Sequence, residues 1–182
     1  MPKLRILKQR LEYRNRYQSI LRVDARIGTL KKVFFVDDHG TRVGLIAIRN
    51  GKVLLVRQNR LLAGGPSLEV PGGRTEAGES LGDAAIRECL EETGYSCSDI
   101  EALVHYMPGM DTVLNPTYIF TARKLRKVGR PRSDEGEVTR PVWLPISDCV
   151  RMIETGQIRC ALTITAILML VCRLGNRQRI SS

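Results

Sequence analysis

The chain has 182 residues, 43% of them hydrophobic and 26% charged, with a net charge of +10. This length makes one main domain the default, and the apolar share supports a real core, which argues against a disordered chain. Five cysteines (Cys89, Cys97, Cys149, Cys160, Cys172) are scattered without metal-ligand spacing. They point to reduced thiols in a cytoplasmic protein.

Residues 1–17 are charged and read as a short helix or a mobile stretch. Charges stand there where a secretory signal needs an apolar run, so none is expected. Residues 20–36 suggest two strands broken at Gly28. Residues 1–40 thus form an N-terminal extension with strands, ahead of a main domain over 41–182. Strands over 43–48 and 53–56 are joined through Asn50-Gly51, a strong two-residue hairpin signal. A loop over 61–66 leads to a short strand over 68–71 and then a glycine turn. A helix follows, then strands over 100–106 and 117–122, a polar loop over 130–137 and a strand over 142–144. Two helices, about 147–154 and 159–173, close the chain around Gly156. The apolar stretch 161–172 is too short to span a bilayer and reads as a buried or dimer-interface helix, so no membrane is expected as partner. Strands interleaved with helices imply an α/β layered fold.

Basic residues concentrate over 3–26, over 123–132, and at Arg173, Arg177 and Arg179. Such a field favours anionic ligands, nucleotides and nucleic acid among them. No aromatic-interleaved basic stripe and no RNA-binding motif accompanies it, so nucleic acid is allowed as a partner but not favoured.

The most informative stretch runs from Gly73 to Tyr95 and fits G-x5-E-x7-R-E-x-x-E-E-x-G, with a hydrophobic residue last. Seven fixed positions at a background near ~1 in 15 would coincide by chance on the order of once in a million chains of this length. Ser80 and Asp83 fit a capping box, and Gly94 stands where a left-handed cap ends a helix. At about 100° per residue, Ala85, Ile86, Cys89 and Leu90 share an arc of roughly 140°. Arg87, Glu88, Glu91 and Glu92 fall on the opposite arc. Glu88 and Glu92 repel at i,i+4 unless a cation lies between them, and only Arg87 offsets this locally, through Glu91. Hard cations take carboxylate oxygens, so the cluster reads as a magnesium site that awaits a phosphate. Pro71-Gly72-Gly73 brings bare backbone close to it.

This pattern resembles the signature of the Nudix hydrolase family. The resemblance implies a Nudix-type α/β/α sandwich with a mixed sheet. It implies metal ligation by the Gly72 carbonyl, Glu88 and Glu92, with Glu91 as an additional ligand. Glu79 and Arg87 would form a supporting ion pair. The cofactor would be Mg²⁺, with Mn²⁺ as a substitute. Residues 54–60, reading Leu-Leu-Val-Arg-Gln-Asn-Arg, are similar to a segment of ADP-ribose pyrophosphatases, as are Pro108-Gly109 and the Gly156-Gln157-Ile158-Arg159 run. In that branch an N-terminal strand region serves dimerisation, which implies a homodimer. The branch also implies contact of Arg60, and of Gly73, with substrate. The general base would come from the acidic loop 133–137, as Glu135 or Glu137, with Glu91 as another candidate and Asp111 a weaker one. Gly72 stands where the branch commonly has alanine, another small residue. The segment 59–65 lacks the aromatic residue often found there.

The expected reaction is Mg-dependent hydrolysis of a nucleoside diphosphate linked to another moiety, foremost ADP-ribose to AMP and ribose 5-phosphate. Alternatives in the same class are other nucleotide sugars, NADH, dinucleoside polyphosphates and the 5′ end of RNA. An alternative of another class is a non-catalytic nucleotide-sensing or nucleic-acid-binding protein. Such scaffolds usually lose motif carboxylates, and this chain keeps all of them.

Overall fold

The computed structural model describes residues 1–16, 18–132 and 140–180. Strands β1 (Leu4–Arg14), β2 (Ser19–Ile27), β3 (Leu30–Asp38), β4 (Arg42–Arg49), β5 (Lys52–Arg60) and β6 (Gly65–Glu69) precede helix α1 (Leu81–Thr93). Strands β7 (Tyr95–Tyr106), β8 (Val113–Leu114), β9 (Thr117–Lys127) and β10 (Arg140–Pro145) follow, and helices α2 (Ile146–Glu154) and α3 (Ala161–Ile180) complete the order. The chain divides into two compact units, Met1–Thr41 with Tyr106–Pro116, and Arg42–His105 with Thr117–Ser182.

The first unit is a four-stranded sheet in the order β1-β2-β3-β8. Ile27 pairs with Leu30, which leaves Gly28 and Thr29 as the turn. Gly28 takes a φ of +61° there, a conformation that favours glycine. Residues 1–17, expected as a helix or a mobile stretch, carry β1 instead. All of its side chains are exposed, so no buried face marks it in the sequence. Its order comes from the antiparallel ladder to β2, running from Leu4↔Ile27 to Arg14↔Ser19.

The second unit holds a mixed sheet in the order β10-β5-β4-β9-β7, with β6 added on β5. Asn50 and Gly51, at φ +50° and +71°, turn β4 into β5 as the dipeptide predicts. Only Ile48↔Val53 and Arg49↔Lys52 then pair across that hairpin. Beyond them the two strands part, and the edge of β4 takes backbone from the glycine turn. Val43 N–H donates to Gly73 O at 2.9 Å and Leu45 N–H to Pro71 O at 3.0 Å.

The strand period of two sorts β4 into two faces. Val43, Leu45 and Ala47 pack with Ala84, Ala85 and Cys89 of α1, with Tyr118, Phe120 and Ala122 of β9 in the same layer. Gly44 faces the opposite way, and an added Cβ there would lie 3.0 Å from Leu162 of α3. The sheet is therefore sandwiched between α1 and α3, the expected α/β/α layering. Pro141, which has no N–H to give, sits in β10 at the sheet edge. The expected loop over 61–66 is shorter than read: a 3₁₀ turn over Leu61–Ala63 and Gly64 at φ +67° complete it, and β6 begins at Gly65.

Candidate active site

Helix α1 begins and ends as its sequence dictates. Ser80 Oγ accepts from Asp83 N–H at 3.1 Å and donates to the Asp83 carboxylate at 2.6 Å. Gly94, at φ +70°, donates its N–H to Leu90 O at the other end. The buried side differs from the expected arc. Ala84, Ala85, Cys89 and Thr93 are the buried residues. At about 100° per residue, Glu88 and Glu92 fall between Ala84 and Ala85, inside that buried arc of about 180°. Both glutamates are half-buried. The helix is thus turned so that carboxylates, and not only aliphatic groups, face inward.

The glycine turn makes room for them. A Cβ on Gly73 would collide with the Glu88 carboxylate, whose Cδ would lie 2.6 Å away. A Cβ on Gly72 would run into the Val43 carbonyl and lie 2.8 Å from Gly44 Cα. The alanine that the resemblance allows at position 72 therefore does not fit here unless β4 shifts. Gly72 N–H donates to Glu92 at 2.9 Å. Among the described residues the Gly72 carbonyl receives no hydrogen bond.

Arg87 gathers the remaining acids. It donates two bonds to Glu79, at 2.9 and 3.0 Å, one to Glu88 at 2.8 Å, one to Glu91 at 3.1 Å and one to the Arg74 carbonyl at 3.0 Å. The hydrogen bond from Arg87 holds the Glu79 carboxyl below its usual range. Burial pushes Glu92 up to about 7 against the Gly72 N–H, and the Glu88 charge adds to the rise. Burial also raises Glu88, against the hydrogen bond and charge of Arg87.

Among the described residues no three His, Cys, Asp or Glu side chains form a ready cage for a metal ion. What the turn and helix bring together is Glu88, Glu92 and the Gly72 backbone, whose N–H meets Glu92, beside a cradle that a single Cβ would fill. Burial raises both acids, and a neighbouring carboxylate adds to each, Glu88 for Glu92 and Glu91 for Glu88, so both gain from a nearby cation and the donor set fits a hard divalent ion. Glu91 is engaged by Arg87, with Arg132 at 3.9 Å. Glu135 and Glu137 lie outside the described residues. Asp111 belongs to the first unit.

Arg60 forms a fork to Glu69, at 3.0 and 2.9 Å, and lines a cavity of about 630 Å³. Glu69 is 5% exposed and also receives Gln58 Nε2 at 3.1 Å. Burial alone would raise the Glu69 carboxyl, but the hydrogen bonds and charge of Arg60 outweigh it and hold it below the usual range. Sequence reading passed over Glu69. Its only signal is an acid between Leu68 and Val70 in an otherwise apolar strand. Thr163 was passed over too. Its hydroxyl, fully buried in α3, accepts Val70 N–H at 3.0 Å and ties the turn to the helix behind it.

The NUDIX domain model matches residues 38–160. The chain belongs to the NUDIX family. An ADP-ribose pyrophosphatase of Bacillus subtilis is 27% identical over 131 residues, 71% of each chain. A CMP-5′-(N-acetyl-N-hydroxy-3-aminopropyl)phosphonate hydrolase of Streptomyces rubellomurinus is 25% identical over 94% of this chain and 84% of its own. A crystal structure titled as an ADP compounds hydrolase shares the fold, with a TM-score of 0.83 over 97% of both chains at 22% identity. The chain is a Nudix pyrophosphohydrolase, similar to the ADP-ribose pyrophosphatase branch. No helix among the described residues is long and apolar enough to cross a membrane.

Proposed function

We propose that this Nudix enzyme hydrolyses a nucleoside diphosphate linked to another moiety, with ADP-ribose, giving AMP and ribose 5-phosphate, as the first candidate. The observation that carries this reading is the pair Glu88 and Glu92, turned inward against Gly72 and Gly73. Nudix hydrolases generally use divalent metal ions. In our reading the ion is Mg²⁺, with Mn²⁺ as a substitute, held by Glu88, Glu92 and the Gly72 carbonyl, with Glu91 as a further ligand. When bound, it supplies charge neutralisation for the diphosphate and acidifies water.

The chain's own residues do the rest. The glycine turn lets backbone approach the diphosphate. Arg87, braced by Glu79, holds the Glu88 and Glu91 carboxylates, the Gly72 N–H holds Glu92, and Arg60 with Glu69 shapes the neighbouring cavity. Water oxygen bonds to phosphorus, the bridging P–O bond breaks, and the water's proton passes to a carboxylate. Glu91 already takes an Arg87 N–H, so we assign the base to Glu135 or Glu137.

The test is product release from ADP-ribose, NADH, GDP-mannose, diadenosine polyphosphates and 5′-triphosphate RNA, with and without Mg²⁺. AMP and ribose 5-phosphate forming fastest from ADP-ribose, only with metal, is the expected result. Silence across the panel sinks the reading. A second reading, another nucleotide conjugate in place of ADP-ribose, is supported by the Streptomyces relative and by Leu61 and Leu62. These stand 94% and 99% exposed at the cavity, whose lining holds no aromatic ring among the described residues.

We further propose a homodimer formed through the first unit. Leu4, Ile6, Leu11, Val33 and Phe35 of its sheet are exposed at 42–60%, more apolar surface than an isolated sheet usually shows water. Light scattering that gives a monomer at micromolar concentration rules this out. The free state of all five cysteines supports a cytoplasmic location.

A further inference from the structure

The 630 Å³ cavity beside β5 is lined by Arg42, Arg60, Ser67, Glu69 and Arg159. It holds three guanidinium groups and one carboxylate. Glu69 accepts both fork bonds of Arg60 and balances that arginine. Arg159 gives an N–H to the Ala63 carbonyl at 2.9 Å, a neutral acceptor. Among the described residues no carboxylate pairs with Arg159. Arg42 Nε is buried and has no hydrogen-bond partner. An unmet buried donor is rare in a folded protein and calls for an explanation. Two guanidinium groups of the cavity therefore have no close ion pair among the described residues.

Arg42 is held firmly in this position. It opens β4, and its backbone bridges to Arg74 just past the glycine turn. Its charge reaches both Glu69 and Glu88 and favours the ionised form of each. Arg42 thus stands within electrostatic reach of both the cavity and the motif helix. A neutral sugar or base in the cavity would leave both guanidinium groups without a direct ionic partner. A phosphate, phosphonate or carboxylate would meet them, because guanidinium groups bind such oxyanions through paired, charge-assisted bonds.

We propose that this cavity seats a second anionic group of the substrate, carried outside the diphosphate link that is cleaved. The preferred substrates are then nucleoside diphosphate conjugates bearing an extra phosphate, phosphonate or carboxylate. This rests on the hydrolase reading above. Free orthophosphate shares the same chemistry and is the competing source of the anion.

The test uses matched pairs that differ by one anionic group: UDP-glucose with UDP-glucuronate, NADH with NADPH, and dephospho-coenzyme A with coenzyme A, all with Mg²⁺. In at least one pair the anionic member is expected to have a kcat/KM about tenfold higher or more. Arg42→Gln and Arg159→Gln should each reduce that ratio by about tenfold, the loss of one charge-assisted contact. Arg159 is exposed, so its variant folds even if the Arg42 variant does not. Equal rates within every pair, or an unchanged ratio in both variants, overturn the proposal. Calorimetry with inorganic phosphate in the presence of a chelator needs no turnover. Phosphate binding lost in both variants, with no hydrolysis of any compound, supports the anion seat and fells the hydrolase reading instead. Phosphate binding with equal rates in every pair assigns the seat to free phosphate and overturns the substrate-borne group. Equal hydrolysis without phosphate binding keeps the hydrolase reading and overturns this one.

Discussion

Glu69 and Glu92 both grip the short stretch that ends in the glycine turn, yet the protein treats them in opposite ways. Glu69 is almost wholly buried, and an arginine fork holds it charged. Glu92 is set beside a second glutamate, and burial pushes it up to about 7. A compensated carboxylate is a structural fixture, and its neighbours can be packed around it. A carboxylate poised between charged and neutral gains most from an incoming cation. One segment thus meets a fixed acid, its own Glu69, at one end and a responsive acid, Glu92 of α1, at the other.

The largest expected effect is on the responsive end. Glu88→Gln and Glu92→Gln should each lower kcat by about a thousandfold, the scale of several kcal/mol of lost charge stabilisation. Their melting temperatures without metal should hold or rise, since each removes one of two repelling acids. Turnover within tenfold of the parent in both variants would break the contrast.

The fixed end should respond in stability. Arg60→Gln strands Glu69 as a buried charge, and breaking such a pair costs about 3–5 kcal/mol. Glu69→Gln should cost less, because Arg60, a third exposed, can turn to water. Urea unfolding of the two variants measures the asymmetry, and equal losses would deny it.

A pH series sharpens the responsive end further. Glu92 has an ordinary value of 4.5 in the unfolded chain and about 7 when folded. Between those values the folded protein holds more protons, so its stability falls as pH rises through that window. Full loss is about 3 kcal/mol. The stabilisation by saturating Mg²⁺, read by thermal unfolding, should therefore be larger at pH 8 than at pH 5. Equal stabilisation at both pH values would remove Glu92 from the ligand set.

The smallest effect concerns the tether behind the segment. Thr163→Val keeps the shape but leaves Val70 N–H without its acceptor, at a cost of about 1–3 kcal/mol. KM for the substrate should rise with it as the turn loosens. A neutral outcome in both would show that β4 alone positions the turn.

What could be read ahead of the structure follows the range of each interaction. The caps at Ser80 and Gly94, the Asn50-Gly51 turn and the Arg87 pairs with Glu79 and Glu91 are local, and their residue types announce them. Strand β1 was misread because both its faces are exposed, so hydrophobic alternation carries no signal. The rotation of α1 was misread for a related reason. A helical wheel scores glutamate as outward, while Gly72 and Gly73, some fifteen to twenty positions earlier, remove the side chains that would keep it out. Thr163 acts on Val70 across 93 positions, and nothing in its immediate sequence or in that of Arg42 marks them, while Glu69 is marked only as an acid between Leu68 and Val70.

Arg87 has a consequence for a cell short of metal. One guanidinium shares its charge among Glu79, Glu88 and Glu91 and anchors to the Arg74 carbonyl. It acts as a resident counter-ion that never diffuses away. On the proposed metal dependence, scarcity of the divalent ion idles the enzyme while the acidic cluster stays assembled, and restored supply meets a site that needs no refolding.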